Sequence, residues 1–226
     1  MTDCPAGRRV PAGQASLTEH RQNGSMPNAH RRTQDLPQGY PSSYETAVRL
    51  ADGRRVTISP ILPSDAAELA EAIRTADADT IHARFLGGPP PLTEAVLDGL
   101  TRLDYVRRFA LVARSHRRGV AIARYGALPP SEGEPGVAEV AVAVAPEWRH
   151  AGLATVLVEM LARRALECGI TDFTAMFLAA NRPVTELAHD GQARVVVAEG
   201  VAHLRAALTE PHPNWPDLGH SGNGHR

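Results

Sequence analysis

One carboxylate and one short turn carry the chemistry in this chain of 226 residues. Glu139 is the only charge in the segment Val137–Val144, VAEVAVAV. Alternation along a strand there puts Glu139, Ala141 and Ala143 on one face and Ala138, Val140, Val142 and Val144 on the other. A carboxylate beside small alanines leaves room for a ligand, and partial burial among them would suit it to accept a proton. Read from the residues alone, Glu139 serves equally well as a strand end that reaches solvent. Downstream, Arg149-His150-Ala151-Gly152-Leu153-Ala154 leads into an apolar-periodic run. The first turn of a helix leaves backbone N–H groups unpaired and concentrates partial positive charge, so it attracts anions. Small residues at Ala151, Gly152 and Ala154 let an oxygen-rich group approach the backbone, and Arg149 adds a charge-assisted bond. A phosphate or pyrophosphate fits that description. The turn lacks the three glycines of a dinucleotide loop and the Gly-Lys-Ser/Thr of a P-loop, so pattern alone leaves an ordinary strand-to-helix turn open as well.

These residues need a strand, a turn and a helix to hold them. Residues 137–144 read as the strand. After Gly152, apolar residues at Leu153, Val156, Leu157, Met160, Leu161, Ala165 and Cys168 oppose Glu159, Arg163, Arg164 and Glu167, which predicts an amphipathic helix stopped by Gly169. Residues 173–178 form the next strand, which makes this a right-handed parallel crossover. The other strands pair as hairpins: 47–50 with 55–61 through Asp52-Gly53, 109–114 with 120–125, and 194–198 with 201–204 through Glu199-Gly200. Helices are expected from Ser64 as cap to about Thr75, over 77–85, over 94–103 behind Thr93, and over 183–189. Residues 128–136 form a polar loop. No internal repeat is visible.

The pattern Val144-x-Pro146-x-x-Arg149-x-x-Gly152-x-Ala154 resembles the acyl-CoA motif of the GNAT acetyltransferase superfamily, Arg/Gln-x-x-Gly-x-Gly/Ala. Arg55–Pro60 with Ser64-Asp65-Ala66-Ala67, then Ala83-Arg84-Phe85-Leu86-Gly87, Asp104-Tyr105, Ala138-Glu139-Val140-Ala141 and Ala180-Asn181-Arg182-Pro183 follow in the order and spacing of its bacterial branch containing protein lysine acetyltransferases. The resemblance covers about residues 46–205. It implies an α+β GNAT fold: a mixed, mostly antiparallel sheet with helices on both faces, in which the parallel strands of the crossover splay apart. The pantetheine arm of acetyl-CoA then lies in the gap as an extra strand would. It further implies Glu139 as general base and cofactor contacts from Val140, Val142, Val144, Arg149, His150, Ala151, Gly152, Leu153, Ala154, Thr155 and Asn181. A backbone N–H of Val140 or Val142 supplies the oxyanion donor. Acceptor contacts fall on Arg84, Phe85, Asp104 and Tyr105, and no metal is expected. Three positions depart from the family. His150 stands where many relatives have Gly. Ala188 stands where a Tyr usually protonates the leaving thiolate, with His189 adjacent but pointing elsewhere. Gln192-Ala193 replaces a closing Gly-Phe. The implied activity is transfer from acetyl-CoA to a primary amine, preferably a protein lysine. A small amine or amino acid as acceptor, or a catalytically silent acyl-CoA-binding regulator, are the other readings, and monomer and homodimer stay equally open.

A net charge of −1 with 43% hydrophobic residues suggests neither a nucleic-acid binder nor a membrane-surface protein. No signal-like leader and no apolar run near the roughly 18 residues of a membrane span is present, so the expected location is the cytoplasm, with Cys4 and Cys168 as thiols. All 24 basic residues are arginine. Residues 1–45, rich in Pro, Gly, Ser, Gln and Asn, are expected to be a disordered extension, residues 46–208 the catalytic domain, and residues 209–226 a disordered tail whose histidines lack metal-ligand spacing.

Overall fold

The computed structural model of the protein describes residues 36–129 and 134–209. The two ends expected to be disordered lie, but for 36–45 and 209, outside the described residues.

Short-range turn chemistry sets the first elements. Strand β1 (Thr46–Arg49) returns as β2 (Arg55–Pro60), with Gly53 at φ +86° and Asp52 Oδ1 accepting from the Arg54 N–H at 3.0 Å. Three helices follow: α1 (Ala66–Thr75), α2 (Ala78–Phe85) and α3 (Glu94–Thr101). Thr93 caps α3 as expected, and Asp77, read from the sequence as the first residue of its helix, instead caps α2. Ser64 does not cap α1. It lies inside a 3-10 turn, Pro63–Asp65, and Asp65 takes the capping position, one carboxylate oxygen accepting from the Leu62 N–H at 2.8 Å. The hairpin β3 (Arg108–Ser115) and β4 (Arg118–Ala127) closes more tightly than expected, because His116 and Arg117 both adopt left-handed backbone (φ 47° and 69°) and make a two-residue turn. Then come β5 (Val137–Val144), α4 (Leu153–Glu167), β6 (Asp172–Leu178), α5 (Arg182–Asp190), β7 (Arg194–Ala198) and β8 (Val201–Ala207). Gly169, at φ +77°, stops α4, and the Ile170 N–H reaches back to Ala165 O at 2.9 Å.

The eight strands form one sheet in the order β1-β2-β3-β4-β5-β6-β8-β7, antiparallel everywhere except β5–β6. The last hairpin is inserted in reverse, β8 against β6 and β7 outside it.

Each face of the sheet carries a helix. On one, Tyr125 of β4 meets Phe109 of the adjacent β3 and, across β5, Phe173 of β6 in tilted ring contacts (5.9 and 6.0 Å), on the side where Leu157 and Leu161 of α4 are fully buried. On the other, Arg114 reaches Asp65 and Glu68 at the start of α1 (2.9 and 2.6 Å). Folded structure begins upstream of the compositional boundary at residue 45. Tyr44 is 5% exposed and meets Phe109 edge-on at 5.4 Å, and Tyr40 meets Tyr105 at 5.6 Å. The aromatic content of that short stretch outweighs its polar composition. No helix among the described residues is long and apolar enough to cross a membrane.

Candidate active site

The backbone of β5 has a free edge. Val137 O accepts from Leu128 N and Ala145 N donates to Val120 O, both at 2.9 Å, so odd-numbered residues of the strand turn their N–H and C=O groups toward β4. The even-numbered residues Val140, Val142 and Val144 therefore present theirs at the opposite edge. There β6 is paired only through Val137↔Asp172, Ala138↔Phe173 and Glu139↔Thr174, after which the parallel strands part. The side chains of Val140, Val142 and Val144 pack onto the core, so a ligand at this edge meets their backbone. Val144 O is already taken by Arg149 Nε at 3.2 Å.

The free edge leads to the α4 N-terminus. Where Asp77, Thr93 and Asn181 cap their helices through side-chain oxygens, α4 opens on Gly152 with no side-chain cap. The first N–H groups of the helix, at Leu153, Ala154 and Thr155, are thus available to an anion. Ala151 and Leu153 bury their side chains (3% and 1% exposed), which anchors the turn from below and leaves its backbone outward. Gly152 sits at φ +79°, and a Cβ built there would meet nothing within 4 Å. His150 is also left-handed (φ 59°) and exposed. That conformation favours glycine, and His is among the side chains that tolerate it, which accounts for the substitution relative to the family pattern. These features fit an elongated, phosphate-bearing acyl-CoA. Among the described residues no group of three or more His, Cys, Asp or Glu could hold a metal.

Glu139 projects from the fork on the face away from α4, and it is exposed rather than partly buried as its apolar strand suggested. Arg124 shares that face: it opposes Ala141, while Gly126 opposes Glu139. Helix α2 covers the same region, tied to the turn before α4 by Arg149 Nη2 donating to Thr80 Oγ1 at 2.8 Å, and brings Arg84 in from above. Burial pushes the Arg84 guanidinium below its ordinary pKa and Glu139 pulls it back up. Arg124 is pushed down to about 10 by burial, then by Arg84 and Arg108, against the pull of Glu139. An arginine guanidinium keeps its proton in proteins, so both are cations. Arg124 was not singled out from the sequence, although it is the only charge in the interior of an apolar strand, as Glu139 is in β5.

The remaining expected positions separate. Arg84 and Phe85 adjoin the site, the guanidinium 5.0 Å from the ring centroid. Asp104 and Tyr105, expected to touch the acceptor, are occupied otherwise. Asp104 Oδ1 accepts from the N–H groups of Val106, Arg107 and Arg108 at 2.8, 2.7 and 2.9 Å, and those bonds outweigh the effect of burial to hold its carboxyl below the usual range. Tyr105 is 0% exposed and its hydroxyl donates to Ile61 O at 3.0 Å, so no acceptor reaches it. Asn181 caps α5, its Oδ1 accepting from Val184 N at 3.4 Å. Ala188 is buried at 4%, and His189 points outward beside Asp190 (3.8 Å, side chain 91% exposed). Gln192 adopts the left-handed backbone (φ 53°) that a glycine would take without strain.

The Acetyltransferase (GNAT) family matches residues 82–190. An acetyltransferase of Pseudomonas aeruginosa is 34% identical over 142 residues, 61% of this chain and 74% of that protein. Among solved structures, the GNAT domain of S. lividans PAT superposes with a TM-score of 0.68 at 28% identity, over 75% of this chain and 99% of that one. The fold is shared with yncA from Salmonella typhimurium, solved with its cofactor acetyl-CoA (TM-score 0.56, 20% identity, 72% and 98% coverage). With a splayed β5–β6 pair, an uncapped helix at its mouth and relatives of this identity and coverage, the chain belongs to the GNAT acetyltransferase family and is an N-acetyltransferase.

Proposed function

We propose that the protein moves the acetyl group of acetyl-CoA to a primary amine, preferably the side chain of a lysine in another protein, in the cytoplasm. The observation that carries this is the continuity of the free β5 edge from Glu139 to the uncapped α4 N-terminus. Acetyl-CoA, when bound, supplies a thioester carbonyl activated toward amines. The N–H groups of Leu153, Ala154 and Thr155 bind its pyrophosphate, with the open space at Gly152 admitting the oxygens. Val140 and Val142 pair with the extended arm through their backbone, and the N–H of one donates to the carbonyl oxygen as negative charge develops. Exposed Glu139 takes the proton of the attacking amine, directly or through a water. Asn181 adjoins the arm from the start of α5. Ala188 offers no proton, so the thiolate leaves unaided, which its low basicity relative to an alkoxide permits.

The preference for lysine rests on the sequence resemblance to the protein lysine acetyltransferase branch, and an exposed base suits a long side chain presented by a large acceptor. The buried Ala188 favours, as a second reading, an acyl-CoA sensor without turnover. Incubation with labelled acetyl-CoA and a cell lysate, read separately on proteins and on small molecules, decides: label on protein lysines with release of free CoA is expected. Binding without release would establish the sensor.

A further inference from the structure

The face that carries Glu139 holds more positive charge than the transfer of an acetyl group requires. Arg84 and Arg124 are both half-buried there. Among the described residues neither makes a hydrogen bond to a side chain or backbone acceptor, and neither stands within ion-pair distance of a carboxylate; the contact made is Arg84 over the Phe85 ring. Other half-buried or buried arginines of the fold are satisfied: Arg114 binds Asp65, Glu68 and Ser59, and Arg164 binds Tyr105 O and Glu167. Glu139 attracts both from beyond ion-pair distance, but one exposed carboxylate leaves two partly desolvated guanidiniums on the same face incompletely compensated, and they repel each other. Such a pair is retained where an anion visits.

The anion is not the cofactor's pyrophosphate. Glu139 and Val144 are separated by roughly 16 Å along β5 at about 3.3 Å per residue, so the α4 turn lies at the far end of the groove. Nor does the geometry suit a charge on the acyl group: an acyl arm paired with the β5 edge, as the transferase reading has it, would run in the plane of the sheet, whereas Arg124 and Glu139 stand out from its face. An acceptor amine approaching Glu139 does arrive on that face.

We infer that Arg84 and Arg124 form a carboxylate-binding pair, so that the preferred acceptor carries a carboxylate beside the amine it offers to Glu139. This rests on the transferase reading above. The carboxylate comes either from an Asp or Glu flanking an acceptor lysine or from a free amino acid-like amine, and planar guanidinium groups bind both in the same forked manner.

The test compares CoA release, with acetyl-CoA as donor, for matched acceptors: blocked peptides containing Lys-Asp against Lys-Asn, and 6-aminohexanoate against its methyl ester. The acidic member of at least one pair should be favoured in kcat/KM by about tenfold or more, the usual worth of a charge-assisted pair. In Arg124→Gln and in Arg84→Gln that ratio should collapse toward unity through KM, with Arg124→Lys restoring part of it. Thermal melting of each variant shows that it folds. Preference confined to the peptides assigns the carboxylate to a protein acceptor, and preference confined to the hexanoate assigns it to a small one. CoA release without preference in either pair overturns the inference while the transferase reading stands. Higher kcat/KM with malonyl-CoA than with acetyl-CoA, abolished by Arg124→Gln, also overturns it, since the anion is then on the donor. No release with any amine overturns the transferase reading and the inference together.

Discussion

Glu139 and Gly152 are the two positions at which a single atom or torsion decides the outcome. Glu139→Gln keeps the size and hydrogen-bonding reach of the side chain but cannot take up the amine's proton. Turnover should fall by about 10²- to 10⁴-fold with acetyl-CoA affinity nearly unchanged, since the proposed function has the donor held by backbone groups. Steady-state kinetics beside calorimetry measure the two. Retention of more than about half the wild-type rate would make the residue structural. Gly152 is left-handed with open space above it. Gly152→Ala should weaken acetyl-CoA binding only through backbone strain of about 1–2 kcal/mol, whereas Gly152→Trp also fills the space meant for phosphate oxygens and should abolish binding in calorimetry. Equal affinities of both variants and the parent would remove the turn from the cofactor site.

At the scale of elements, the site depends on helices being pinned to the sheet by polar ties. Arg114, 7% exposed, joins β3 to α1: its Nη2 contacts Asp65 Oδ1 at 2.9 Å and its Nε donates to Glu68 Oε2 at 2.9 Å, while Glu68 Oε1 accepts from the Gly119 N–H at 2.8 Å. Arg114→Ala leaves two carboxylates without their counter-charge. It should cost about 3–5 kcal/mol in urea unfolding, far more than loss of an exposed pair such as Arg102–Asp98. A loss below about 1 kcal/mol would show that the carboxylates find other partners. The tie is legible only in part: an Arg at the end of an apolar strand is visible in the sequence, but its partners lie about fifty residues upstream.

For the molecule as a whole, the folded body starts before its composition says it should. A chain beginning at residue 46 would lack Tyr40 and Tyr44, and with them the edge contacts to Tyr105 and Phe109. It should melt well below a chain beginning at residue 36, since loss of a large buried aromatic side chain costs about 3–5 kcal/mol. Equal melting temperatures would restore residue 45 as the boundary. The chain also has no lysine, all 24 basic residues being arginine. Incubated alone with acetyl-CoA it should acquire no internal N-acetyl group in peptide mass spectra, and any acetyl found on an internal Ser, Thr or Cys would instead indicate an acyl-enzyme.

The sequence by itself determined what rests on neighbours in the chain. The 2-residue alternation of β5 put Glu139 opposite the valines, the 3.6-residue period of α4 and Gly169 fixed that helix and its end, and the Arg149 to Ala154 spacing marked the turn on which α4 opens. These are local because a period, a cap or a glycine torsion is set within a few residues. What only the tertiary structure decided rests on distant pairings. Tyr105 became a buried bond to Ile61 instead of an acceptor contact, Asp65 replaced Ser64 as cap while also meeting Arg114, and β8 slid between β6 and β7. Arg124 came to notice only when α2 brought Arg84 to the same face, since the neighbours of a half-buried charge are chosen by packing and not by spacing in the chain.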